Sequence, residues 1–189
     1  MSENVLEKLY TRDHIARQIL RLGEEISRDY GNDEILLVGV LKGAFLFFAD
    51  LVRAISSPTL VDFVRLASYG SHTQSSGIVE LRKDLEFSVH GRHVVIVDDI
   101  LDSGCTLEFL RQRLLDRQPL SLKTCVLLDK KQGRKVPVEA DYVGISMESG
   151  FVVGYGLDYR ENFRGLPDLY LLHDLRETRK GGPFGKSGN

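Results

Sequence analysis

The segment that most constrains this chain runs from His93 to Leu107. It begins His93-Val94-Val95-Ile96-Val97-Asp98-Asp99 and continues Ile100-Leu101-Asp102-Ser103-Gly104-Cys105-Thr106-Leu107. An unbroken run of Val and Ile reads as a strand buried on both faces, the kind found inside a parallel sheet. Two carboxylates stand at its C-terminal end, and a short loop of small polar residues follows. Leu107, Leu110 and Leu114 then recur at helical spacing, so a helix begins near Ser103 to Thr106. Strand, acidic pair, tight loop and helix, in that order, can build an anion site. The first turn of a helix carries backbone N–H groups without partners and a partial positive charge. Ser103 and Thr106 add hydroxyls, and Gly104 permits close backbone approach. The same residues also fit a plainer arrangement, a buried strand ending in two solvated aspartates ahead of a helix capped by Asp102 or Ser103.

The loop narrows the chemistry. It lacks the Gly-Lys-[Ser/Thr] ending that cradles a nucleoside triphosphate. It also lacks Gly-x-Gly-x-x-Gly, which argues against a dinucleotide. Carboxylates beside a phosphate cradle can accept hydrogen bonds from sugar hydroxyls or approach a metal that holds them. A phosphorylated ribose satisfies both halves of the segment.

The segment from Val94 to Leu107 resembles the phosphoribosyl-pyrophosphate (PRPP) loop of type I phosphoribosyltransferases. From about Thr11 to Asp174 the chain is similar to the hypoxanthine-guanine branch of that family. Four further segments match in order: Leu41-Lys42-Gly43, Ser68-Tyr69-Gly70, Lys130, and Phe151-Val152-Val153-Gly154-Tyr155 running on through Leu157-Asp158-Tyr159 to Phe163-Arg164.

Bulk properties set the frame. The chain has 189 residues, 42% of them hydrophobic, enough for one well-cored domain. A net charge of −2 argues against a dedicated nucleic-acid binder. Cys105 and Cys125 have neither metal-site spacing nor a disulfide pattern, which fits a reducing, cytoplasmic setting. Met1 to Tyr10 lacks the apolar core of a signal peptide, and the apolar stretch at Ala44 to Ala49 is too short to cross a bilayer. No membrane or nucleic-acid partner is expected.

Taken in order, Thr11 caps a helix with Ile15, Ile19, Leu22 and Ile26 on one face. Ile35 to Val40 is a buried strand, and Leu41-Lys42-Gly43 is the loop at its end. Phe45 to Ile55 is a largely buried helix, broken by Ser57-Pro58. Thr59 to Leu66 is a strand. Ala67 to Gly77 is expected to be a long polar loop of the kind that forms lids. Ile78 to Leu81, Leu122 to Leu128, Tyr142 to Ile145, Phe151 to Tyr155 and Leu169 to Leu172 are further strands. Strands alternating with helices give an α/β domain with a mostly parallel sheet flanked by helices. Ligands in such sheets bind beyond the strand C-termini. Lys42, Asp98, Asp99, Asp102 and Lys130 all follow buried strands and should gather at one edge. The resemblance adds a small hood of N- and C-terminal segments. Residues 1–176 are expected to form one domain with that hood, and 177–189 a flexible tail.

The resemblance implies a reaction and a division of labour. It moves 5-phosphoribosyl from PRPP to N9 of a 6-oxopurine, giving IMP or GMP and pyrophosphate. Asp102 accepts a proton near purine N7. The loop Asp102, Ser103, Gly104, Cys105 and Thr106 holds the 5′-phosphate. Asp98 and Asp99 hold the ribose hydroxyls, although the family usually has glutamate at the position of Asp98. Lys42, Gly43 and Arg164 meet pyrophosphate, with a cis peptide between Leu41 and Lys42. Lys130 donates to purine O6, Phe151 stacks on the base, Val152 offers backbone groups, and Asp158 sits beside it. Ser68 and Tyr69 belong to the lid. Mg2+ is the implied cofactor, on Asp98, Asp99 and Asp158, and the implied assembly is a homodimer or homotetramer. Three rivals remain: a PRPP-sensing regulator, for which the chain lacks an added module or basic face; a transferase for orotate, adenine or xanthine; and a receiver-like metal-binding domain, which would not need the tight loop.

Overall fold

The computed structural model describes residues 4–71 and 74–174. The described chain starts with a strand that the sequence pattern does not announce, β1 (Asn4–Tyr10). Its charged, non-alternating residues are extended because they pair antiparallel with a partner far along the chain. Then Thr11 caps α1 (Arg12–Tyr30), its side chain accepting from the His14 N–H at 3.3 Å. Ile15, Ile19, Leu22 and Ile26 on the expected face are buried.

The strand β2 (Ile35–Leu41) is buried along nearly its whole length. It leads through the Lys42-Gly43 loop into α2 (Phe45–Ala54). That helix buries Phe47, Phe48 and Leu51, whereas Phe45 is exposed, so its burial is one-sided rather than all round. Next come β3 (Thr59–Ser71) and β4 (Gln74–Lys83), joined antiparallel. The central strand β5 (His93–Leu101) follows, then α3 (Cys105–Leu115), β6 (Ser121–Lys130), β7 (Tyr142–Met147), the short β8 (Val152–Val153) and β9 (Leu169–Asp174).

Six strands form the main sheet in the order β4-β3-β2-β5-β6-β7, with β3, β2, β5, β6 and β7 parallel and only β4 reversed. Successive residues of each central strand face opposite cores. Leu37, Val95, Val97 and Leu127 pack with α1 and α2 on one side. Leu36, Val38, Ile96 and Val126 pack with α3 on the other. This double burial is why these strands read as unbroken aliphatic runs. From β2 the chain steps outward to β3, and from β5 it steps the opposite way to β6. The strand order therefore reverses between β2 and β5, and an α/β sheet opens a ligand crevice at such a switch point. A second sheet of three strands, β1-β9-β8, brings N- and C-terminal segments together. No helix of the described residues is long and apolar enough to cross a membrane.

Two expectations are corrected. The polar stretch after Leu66 is not a free loop: β3 continues to Ser71 and pairs with β4. Past Arg65 it leaves β2 and keeps just this one partner, so a polar sequence suffices for an antiparallel ribbon. Ser68 and Tyr69 belong to this ribbon by their backbone; their side chains, like His72, lie outside the described residues. The strand expected over Phe151 to Tyr155 shrinks to Val152–Val153, because Gly154 and Tyr155 take positive φ (98° and 46°) and turn the chain away. The tail expected at 177–189 also lies outside the described residues.

Candidate active site

Strands β2, β5 and β6 run parallel, so their C-terminal ends lie along one edge. There the structure gathers Lys42, Asp98, Asp99, Asp102 and Lys130. Two clefts open on this edge. One, of about 250 Å³, is lined by Gly43, Asp98, Asp99, Asp102, Ser103, Gly104 and Thr106, among others. The other, of about 190 Å³, is lined by Asp99, Ile100, Asp102, Lys130, Gly150, Phe151, Val152, Leu157 and Asp158. Asp99, Ile100 and Asp102 border both.

The loop after β5 is built to leave amides free. Gly104 stands at the N-cap of α3 with φ 83°, and no side chain among the described residues caps that helix. This corrects the plainer reading in which Asp102 or Ser103 caps it. Among the described residues the only side-chain contact to the first amides is a long one, from Cys105 N–H to Ser103 Oγ at 3.4 Å. Gly104 has two reasons to be glycine. Its φ is left-handed, and a side chain there would meet Val136 and Val138. Cys105 lies at the start of the helix and does not line the cleft.

Asp98 and Asp99 sit at the switch point. Asp98 is 8% exposed and accepts the Asp99 N–H at 3.0 Å, while Asp99 accepts the Ile100 N–H at 2.9 Å. No ion pair reaches either carboxylate among the described residues. Burial, and then the charge of Asp99, push the Asp98 carboxyl well above the ordinary carboxylate range; burial raises Asp99 too. An adjacent pair of hard oxygen donors without a counter-cation suits Mg2+, which is commonly held by one or two carboxylates and substrate phosphates. Among the described residues no three acidic, histidine or cysteine side chains converge as a ready cage. Asp158 is already engaged, with Arg164 Nη2 at 2.7 Å on one oxygen and the Glu161 N–H at 2.8 Å on the other.

Asp102 meets Lys130, Nζ to Oδ2, at 2.8 Å. Gly133, with φ 120°, leaves room beside Asp102 Oδ1 that a Cβ would take. Phe151 is 39% exposed and edges against Tyr159 at 5.6 Å between ring centroids. It thus faces the second cleft rather than the core, while Val152 beside it is buried.

The loop of Lys42 and Gly43 touches this centre. The peptide between Leu41 and Lys42 is cis, as the resemblance implies. A Cβ on Gly43 would run into the Asp99 carboxylate, and one on Gly156 into the Gly43 carbonyl. Lys42 and Arg164 do not border either cleft but reach one shared partner, Glu161, at 3.0 and 3.2 Å.

Two functional candidates escaped the sequence reading. Arg134 donates to the Asp102 carbonyl (3.0 Å), the Leu101 carbonyl (3.4 Å), the Val138 carbonyl and the buried Asp129 carboxylate (2.5 Å). It ties the end of β5 to the end of β6. Glu161 is the other. The one available signal was position: both lie four or fewer residues from a residue singled out from the sequence, Lys130 or Arg164.

Comparison with known proteins places these features in context. A family model described as a phosphoribosyl transferase domain matches residues 6–160. The hypoxanthine-guanine phosphoribosyltransferase of Aquifex aeolicus (strain VF5) is 45% identical over 170 residues, 89% of this chain and 96% of the relative. That of Mycobacterium tuberculosis (strain H37Rv) is 48% identical over 170 residues, 87% of this chain and 84% of the relative. Among solved structures, the hypoxanthine phosphoribosyltransferase of Trypanosoma cruzi in complex with the product IMP superposes with a TM-score of 0.82. It is 41% identical and covers 91% of this chain and 95% of its own.

Proposed function

This chain belongs to the phosphoribosyltransferase family, in its hypoxanthine-guanine branch, and from that premise we propose how its residues divide the work. The reaction transfers 5-phosphoribosyl from PRPP to N9 of hypoxanthine or guanine, giving IMP or GMP and pyrophosphate. The observation that carries the assignment is the shared border of the two clefts at Asp99, Ile100 and Asp102. One cleft ends in a phosphate-type loop and the other in an exposed aromatic ring, so sugar phosphate and base meet where the new bond forms.

The uncapped first turn of α3, with Ser103, Gly104, Cys105 and Thr106, binds the 5′-phosphate through amides, hydroxyls and the helix dipole. Asp98 and Asp99 accept from the ribose hydroxyls and stabilise the positive charge that grows on the ring as the bond at C1 breaks. They are also the residues that would hold Mg2+, with Asp158 available only once it releases Arg164. Bound there, the metal supplies counter-charge for the departing pyrophosphate. Lys42 and Arg164 hold that pyrophosphate by charge and by the guanidinium fork.

O6 and N7 lie on one edge of a 6-oxopurine. Lys130 and Asp102 form a donor and an acceptor side by side, matched to that edge. As N9 attacks C1, the N7 proton passes to Asp102 while Lys130 donates to O6. Adenine carries a 6-amino group that Lys130 cannot satisfy. Phe151 stacks on the base, and Val152 offers it backbone groups. The ribbon carrying Ser68 and Tyr69 closes over the site and excludes water that would capture the cationic sugar. The enzyme works as a homodimer or homotetramer in the cytoplasm, where its free cysteines fit a reducing medium.

A spectrophotometric assay with PRPP and Mg2+ tests this reading. IMP and GMP should form readily and AMP should not. Preferential formation of AMP or XMP would overturn the purine assignment.

A further inference from the structure

The turn from Tyr159 to Asn162 is closed by reciprocal backbone bonds, Tyr159 N–H to Asn162 O at 3.1 Å and Asn162 N–H to Tyr159 O at 3.0 Å. Its two central residues, Arg160 and Glu161, have φ of 52° and 63°. That is a type I′ pattern, which normally selects glycine or asparagine at both positions. Here an arginine and a glutamate occupy them, so the backbone is held where side chains are disfavoured. What the turn presents is the Glu161 carboxylate. One oxygen meets Lys42 Nζ at 3.0 Å and the other meets Arg164 Nη2 at 3.2 Å. These two cations come from distant parts of the chain and have no other shared partner among the described residues.

Arg164 is not fully satisfied in this arrangement. Its Nη1 is fixed on the Gly156 carbonyl at 2.9 Å and its Nη2 is divided between Asp158 and Glu161. Its Nε is buried with no hydrogen-bond partner. A buried donor without an acceptor is unusual in a finished site. The Glu161 side chain, by contrast, is 65% exposed and can swing into solvent without moving the turn.

We propose that Glu161 is a built-in stand-in for pyrophosphate: it bridges Lys42 and Arg164 until substrate binds, and pyrophosphate and Glu161 exclude each other there. This rests on the reading of Lys42 and Arg164 as the pyrophosphate contacts. The carboxylate keeps two like charges oriented before PRPP arrives. After transfer it competes for the same cations and hastens pyrophosphate release. A polyanion entering the site meets a like charge, and the exposed carboxylate yields.

The test is calorimetric titration of inorganic pyrophosphate, in magnesium buffer, into the full chain and its variants, paired with product-inhibition kinetics. Glu161→Gln should tighten pyrophosphate roughly threefold to tenfold, the scale of losing two exposed ion pairs, and high salt should shrink the difference. It should leave the KM for hypoxanthine in place. Glu161→Asp, which keeps the charge, should lie nearer the parent. Glu161→Gly, which also relieves the turn, should tighten pyrophosphate as Glu161→Gln does. Unchanged or weaker pyrophosphate binding in Glu161→Gln would overturn the proposal even if Lys42→Ala and Arg164→Ala both weaken it. If neither Lys42→Ala nor Arg164→Ala weakens pyrophosphate, the underlying contact assignment is wrong, and the proposal falls with it.

Discussion

Lys130 Nζ and Asp102 Oδ2 stand 2.8 Å apart at the ends of neighbouring parallel strands, side by side on the wall of the second cleft. The residue that would read O6 thus holds the residue that would take the N7 proton. The two functions should therefore separate on mutation. Asp102→Asn should lower kcat by about 10² or more, the usual contribution of a positioned base, with little change in PRPP affinity. Lys130→Ala should raise the KM for hypoxanthine and guanine while sparing PRPP. Steady-state kinetics with each substrate varied in turn checks both; a Lys130→Ala defect confined to PRPP would contradict the assignment.

The buried acid pair should cost stability. Asp98 has its carboxyl raised by burial and by Asp99. The folded protein thus holds more protons than the unfolded chain between the ordinary value of 3.8 and the raised one. Stability from this pair is full below that window and is lost as pH rises through it. Asp98→Asn removes the loss, so at pH 7.5 without Mg2+ its Tm should exceed that of the parent by roughly 2–4 °C, the scale of 1 kcal/mol in a chain of this size. The gain should vanish towards pH 4. Thermal melts across pH would show it, and parallel pH profiles for parent and variant would contradict it.

Gly43→Ala should damage the PRPP half of the site through contact alone. The added methyl would occupy space now filled by the Asp99 carboxylate. Asp99 or the loop must shift, and a displacement of about 1 Å can cost 10²-fold in rate. PRPP KM should rise more than purine KM in initial-rate measurements.

Arg134→Met should unfold more easily than the parent by about 3 kcal/mol, the lower range for breaking a buried ion pair by removing one partner. It strips donors from the Leu101 and Asp102 carbonyls and from Asp129, which is 3% exposed. Lys131, 2.5 Å from the other Asp129 oxygen, limits the loss. Denaturant titration gives the stability change, and Arg134→Lys should fall between, because it keeps charge without the fork.

The parts of this site that were legible in the sequence are those whose chemistry is contiguous. Val94 to Thr106 spells strand, acids and helix start in one run, and a parallel sheet carries Lys42 and Lys130 to the same edge as a matter of chain order. Phe151 was ambiguous as a strand residue, since only its 39% exposure separates a cleft wall from a core. Arg134 and Glu161 were invisible because their partners are fixed by tertiary approach: the Asp102 carbonyl in one case, Lys42 in the other. β1 goes unread and the ribbon past Leu66 reads as a loop for one reason. Each is extended by its pairing partner, and local polarity said nothing of that partner.

The most direct measurement is a crystal structure of the protein soaked with GMP. The 5′-phosphate should lie within hydrogen-bonding distance of the amides of residues 103–106, with the ribose hydroxyls facing Asp98 and Asp99 and the base between Phe151 and Lys130. A phosphate bound elsewhere, with those amides turned away, would contradict the account.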